Sequence, residues 1–132
     1  MNRHLKPEAE KIRKEIKEMI PETATEDNSN LEKADCLRSD DGRVMYAGEA
    51  LANKVVTLRH YLGLGSDWGW TLWHFPAANE LINKNSSMYL IPLSGSANIP
   101  EGGSLTEGSF MLITNNPIVR SGATVIIFMK IL

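Results

Sequence analysis

Histidine, tyrosine and tryptophan are the side chains of this sequence that could do chemistry, and they fall close together. His74 shares one side of the alternating stretch Trp68 to Phe75 with Trp70 and Leu72, and His60 shares a side with Val56 and Leu58. Imidazole titrates near neutrality, so either histidine is a candidate general base, with Tyr89 as the matching acid. A histidine on an apolar face is more often a hydrogen-bonded core residue, and that reading stands beside the catalytic one. Trp68, Trp70 and Trp73, with Tyr61, Phe75 and Tyr89, offer flat walls for a sugar or a ring. The plainer account is core packing and dimer contact, since aromatics dominate buried area in a small β domain. A metal site built from His60, His74 and Glu80 has no spacing motif behind it, although a first-row metal needs several such ligands converging on one point. No nucleophile elbow, Walker loop, dinucleotide fingerprint or paired-cysteine motif occurs. Gly102-Gly103-Ser104 reads as a turn, because no helix follows to make it a phosphate cradle.

The elements that must position these residues are legible in part. Lys6 to Ile20 reads as an amphipathic helix: Leu5, Ala9, Ile12, Ile16, Met19 and Ile20 form one stripe, Pro7 suits the first helical position, and Pro21 stops the run. Glu22 to Asn30 is polar and acidic and reads as a linker. Ser39-Asp40-Asp41-Gly42 is a turn joining strands at Cys36 to Arg38 and Arg43 to Ala47. Lys54 to Leu62, rich in β-branched and aromatic residues, reads as the next strand, with no helical period expected after residue 54. Trp68 to Phe75, Met88 to Leu93, Ser96 to Ile99, Phe110 to Thr114, Ile118 to Arg120 and Thr124 to Ile131 complete the strands. The last is apolar on both faces and should be covered on both. The expected architecture is all-β, a jelly roll over residues 31–132, preceded by a helix and linker over residues 1–30.

A chain of 132 residues with 42% hydrophobic content holds one core. Its formal net charge of −2 supplies no basic excess, so neither nucleic acid nor an anionic membrane is an expected partner. No apolar run approaches the roughly 20 residues that span a bilayer. The single Cys36 cannot form an internal disulfide, which with the polar N-terminus suits a cytoplasmic protein.

Two stretches carry a family resemblance. Thr71 to Gly95 resembles the first motif of the cupin superfamily, small double-stranded β-helix barrels, in which a glycine, a His-x-His pair and a glutamate precede a closing glycine. Ala77 stands at the first glycine, Asn83 and Asn85 at the histidines, Tyr89 close to the glutamate, and Gly95 at the close, one residue early. Gly108 to Ala123 resembles the second motif: Gly108 leads, Thr114 and Asn116 take the Pro-x-Gly places, Val119 the histidine place and Ala123 the asparagine place. The resemblance covers about residues 54–131 and keeps the frame without the metal ligands. It implies a metal-free, cofactor-free barrel that binds a small molecule, with Trp70, His74, Asn85 and Tyr89 as the residues expected to reach it, and that pairs as a homodimer. It also implies an alternative, since some metal-free cupins isomerise or epimerise nucleotide-linked sugars with a His and a Tyr. The catalytic candidates on that reading are His74, Tyr89 and His60. A further alternative is a structural or regulatory module that docks through an exposed stripe on the N-terminal helix.

Overall fold

The computed structural model of the chain describes residues 3–25 and 32–131. Its elements run β1 (Arg3–His4), α1 (Pro7–Met19), β2 (Asp35–Arg38), β3 (Val44–Ala47), α2 (Glu49–Tyr61), β4 (Trp68–Phe75), β5 (Asn79–Glu80), β6 (Met88–Ser94), β7 (Ser96–Ile99), β8 (Gly103–Thr106), β9 (Ser109–Ile113), β10 (Ile118–Val119) and β11 (Ala123–Lys130). Seven strands form one sheet in the order β1-β9-β6-β11-β4-β3-β2, and four form a second in the order β5-β10-β7-β8. Every pairing is antiparallel. No helix among the described residues is long and apolar enough to cross a membrane.

The first helix lies where its stripe and its prolines put it. Pro7 occupies its first turn with Glu8 and Glu10, Lys17 its last, and Ala9, Ile16 and Met19 are buried beneath it. The stripe is therefore spent inside this chain: Leu5, Ala9, Ile16, Met19 and Ile20 join one core with Val44, Tyr46, Leu72, Ile91, Leu93, Ile126 and Phe128 of the large sheet. Docking another protein through that stripe would require stripping the helix from its own sheet. The described start of the linker is tethered too. Thr23 Oγ1 donates to the Lys17 carbonyl at 2.6 Å, the Thr25 N–H donates to the Glu18 carboxylate at 2.9 Å, and the Tyr46 hydroxyl donates to Glu22. The remainder of the linker, residues 26–30, lies outside the described residues.

The stretch read as a strand from Lys54 to Leu62 is helical, and the fold has two helices. Leu51, Val55 and Leu58 are fully buried, and Leu62 packs against the same core, steps of four, three and four residues that make one helical stripe. The strand reading followed the β-branched run Val55-Val56-Thr57 and began inside the helix, past Leu51 where the stripe starts. Gly48 turns the chain out of β3 at φ +112°. Packing two helices side by side on the sheet outweighs the modest preference of β-branched residues for strands. At the far end of α2, Arg59 Nη1 donates to the Trp68 carbonyl at 3.0 Å and fixes the start of β4.

Alternation deals the large sheet's side chains to two cores. One face meets the helices; the other meets the small sheet across Phe75, Met88, Leu90, Ala97, Leu105, Ile113, Val119, Val125 and Ile127. Residues Ala123 to Phe128 of β11 are all buried, as covering on both faces demands. The corner where β6 passes into β7 is made by Gly95 at φ +75°, where an added Cβ would lie 2.7 Å from Ala123 Cβ. Three short strands, β1, β5 and β8, add to those expected. β5 sits just past the Pro-Ala-Ala turn, and β8 includes the Gly103-Ser104 pair read as a turn.

Candidate functional site

The residues singled out in sequence are dispersed over the large sheet and its surroundings. His74 Nδ1 lies 2.8 Å from Thr124 Oγ1 on the neighbouring strand. Trp70 and Tyr89 are in register through Phe128 of the intervening β11, and both pack against the helix-side core. The Tyr89 ring lies 5.3 Å from that of Trp68 and 5.9 Å from that of Phe110. His60 is exposed on α2, its ring 6.0 Å from Tyr61. Asn85 is exposed and donates through Nδ2 to the Lys130 carbonyl at 3.0 Å.

These placements decide what the set can do. His74 is level with Thr124 and Tyr89 with Phe128, so the two are separated by about 13 Å along the strands and about 10 Å across them. They do not share a proton. Nor do His60, His74 and Glu80 meet: among the described residues no three His, Cys, Asp or Glu side chains form a group able to hold a metal ion.

The positions that match the cupin motifs also do separate jobs. Asn83 is buried and acts as a clamp between the two motifs. Its Nδ2 donates to the carbonyls of Ile113 at 2.8 Å and Asn115 at 3.0 Å, its Oδ1 accepts from the Ser87 N–H at 3.1 Å, and its own N–H donates to Asn116 Oδ1 at 2.9 Å. Val119 is a fully buried core residue of the small sheet. Tyr89 faces the helices, while its neighbours Met88 and Leu90 face the second sheet.

The space between the sheets is filled by apolar side chains except at one end. There a cleft of 260 Å³ lies over the β4–β11 pair, lined by Gly69, Trp70, Thr71, Ile127, Met129 and Ile131, with Lys130 beside them. Gly69, Thr71, Ile127 and Met129 lie on the inter-sheet side by alternation, opposite Phe128 and Leu72. The small sheet joins the large one at the other end of this pair, through Gly95 and Gly122, and does not cover the cleft. Two features keep it open. Gly69 has no side chain, and a Cβ there would come within 3.3 Å of the Ile131 side chain. The Lys130 ammonium is drawn away by Asp67 at 3.8 Å and by the Trp68 ring at 6.0 Å. Thr71 supplies the cleft's one side-chain hydroxyl, which makes no hydrogen bond with another described residue. Of the residues picked from sequence, Trp70 lines this cleft. The signal for the others was small size: Gly69 and Thr71 interrupt a run of tryptophans on the side away from His74.

A larger groove of 460 Å³ runs along α1 beside Arg13 and Glu107. Four of its charges form one cluster. Arg13 is buried and donates to Glu10 through Nε at 2.6 Å and Nη2 at 2.8 Å, and to Glu107 through Nη1 at 3.0 Å. Lys17 reaches the same Glu107 oxygen at 2.5 Å. The Arg13 hydrogen bond holds the Glu10 carboxyl below its usual range against the opposing effect of burial. Burial pushes Glu107 up, but hydrogen bonds from Lys17 and Arg13 outweigh it and leave the group lowered.

No family model matches the chain, and no curated protein matches it. Solved structures similar to it include ectoine synthase from P. lautus, at 15% identity and a TM-score of 0.40, over 54% of this chain and 59% of that one. They also include mannose 6-phosphate isomerase from Bacillus subtilis, at 10% identity and a TM-score of 0.43, over 80% of this chain and 31% of that one. Both are cupin superfamily members, the family that the spacing of the two motifs resembles. The chain spans less than two thirds of either protein's length.

Proposed function

We propose that the chain is a small-molecule-binding protein with a cupin-like double-stranded β-helix, and that it takes its ligand in the cleft at the open end of the sheet pair. The observation that carries this reading is the filled inter-sheet core, which leaves 260 Å³ at Gly69, Thr71, Ile127, Met129 and Ile131. A concave apolar site with one orienting hydroxyl suits a small, neutral, cyclic compound. Metal does not enter the reading, because the positions matching the family's ligands carry Asn83, Asn85, Tyr89 and Val119, and these do not converge. The exposed, free Cys36 suits a reducing, cytoplasmic setting. Among the described residues no strand pairs with the outer edge of β2, and this supports a homodimer, since unpaired edges tend to be covered and Leu37 there is 66% exposed.

The test is a fragment screen of the full chain by thermal shift, with amide chemical shifts to place the binders. Small cyclic neutral compounds should raise the melting temperature, as binding to the native state must, and perturb Gly69, Thr71 and Ile127. Gly69→Val should fill the cleft and remove the effect while the fold survives. Binding that persists in Gly69→Val sinks the proposal. Sedimentation equilibrium checks the dimer, and a monomer at every accessible concentration rejects it.

A further inference from the structure

A third cavity, of 230 Å³, lies where the N-terminal arm, the start of α1, the end of α2 and β9 meet. It shares no residue with the cleft between the sheets. Its basic lining is Arg3, His4 and Lys6, its apolar walls are Tyr61, Leu62 and Phe110, and it includes no acidic residue. In a chain with a formal net charge of −2, this is a local reversal of sign. In the groove along α1, by contrast, Arg13 and Lys17 are both matched by Glu107. Neither Arg3 nor Lys6 pairs with a carboxylate among the described residues.

The bases are placed by backbone, not by chance contact of side chains. Arg3 and His4 pair in register with Phe110 and Ser109 of β9, and the Leu5 N–H donates to the Gly108 carbonyl at 3.0 Å. Leu5 is buried and pins the arm. His4 Nδ1 lies 3.4 Å from Ser109 Oγ. Phe110 is held from behind by the Tyr89 ring at 5.9 Å, whereas Tyr61 is half exposed at the mouth. Arg3 and Lys6 are like charges on one rim of a half-apolar space, and an anion between them would be attracted by both.

We propose that this cavity binds a small organic anion, with a phosphate or carboxylate head held by Arg3 and Lys6 and a flat apolar body against Tyr61 and Phe110. The full chain is titrated with phenyl phosphate, benzoate, inorganic phosphate and benzyl alcohol, followed by calorimetry and by amide shifts. Phenyl phosphate or benzoate should bind best, with shifts at His4, Tyr61 and Phe110 and affinity that falls as salt rises. The tighter of the two identifies the head. Arg3→Gln/Lys6→Gln, at exposed positions where folding is retained, should weaken that binding about tenfold, the usual scale of losing charge-assisted hydrogen bonds. Tyr61→Ala should erase the advantage of phenyl phosphate over inorganic phosphate. Gly69→Val should change nothing here, which separates this site from the cleft between the sheets. The proposal is overturned if none of the anions binds at millimolar concentration, if benzyl alcohol binds as well as they do, or if the double glutamine variant binds as the unmodified chain does.

Discussion

Asn83 makes four hydrogen bonds through its amide and its own N–H, and three of them reach the segment from Ile113 to Asn116. Its side chain is specified by donors and acceptors on both ends, so replacement by alanine leaves buried carbonyls and an N–H unpaired. A loss of about 1–3 kcal/mol is expected, read from urea unfolding. Asn83→His, which restores the family's residue type, should cost at least as much, because imidazole cannot offer two donors and an acceptor at once. Glycine offers a matched pair of tests. Gly95 and Gly108 both have positive φ, but an added Cβ meets Ala123 at 2.7 Å in the first case and nothing nearer than 3.9 Å in the second. Gly108→Ala should therefore cost only the conformational penalty of about 1–2 kcal/mol, and Gly95→Ala distinctly more.

At the scale of elements, the sequence is most transparent where one signal dominates. The strands Trp68–Phe75 and Ser96–Ile99 begin and end where turn residues and alternation place them, and α1 lies within a residue of its proline boundaries. α2 was obscured because Val55, Val56 and Thr57 favour strands locally while Leu51, Val55, Leu58 and Leu62 form a stripe only over a longer window. The candidate site was obscured for a different reason. Alternation along β4 sorts Trp70, Leu72 and His74 from Gly69, Thr71 and Trp73, but it does not say which set faces the second sheet when both faces are apolar. Trp68, Trp70 and Tyr89 went to the helix side, and the cleft formed beside the small residues Gly69 and Thr71. The helix itself is testable by paired substitution. In a strand, Val56 and Leu58 would share a face; on α2, Leu58 is fully buried and Val56 is exposed. Leu58→Ala should cost about 2–5 kcal/mol, whereas Val56→Ala should stay within about 0.5 kcal/mol of neutral.

At the scale of the whole molecule, α1 is fastened at both ends, by Leu5 to the β8–β9 turn and by the Arg13–Glu10–Glu107–Lys17 cluster to the same turn. Because Glu10 and Glu107 are both lowered from an ordinary value of 4.5, the cluster's stabilisation is fully present above that pH and is lost as pH falls through the folded values. Stability measured between pH 6 and about pH 3 should therefore drop, and the drop should be shallower in Arg13→Met, which loses both Arg13 pairings and keeps only Lys17 with Glu107. The sheet order carries a consequence for how the chain is made. β1-β9-β6 lies on one side of β11 and β4-β3-β2 on the other, and among the described residues no strand pairing joins the two halves except through β11. A chain emerging from the ribosome thus holds two unjoined half-sheets, each with an apolar face, until residues 123–130 have cleared the exit tunnel. Closure follows synthesis of the strand instead of accompanying it, and aggregation during that interval is the hazard a chaperone would relieve. A chain cut before Ala123 should show no cooperative unfolding transition at all.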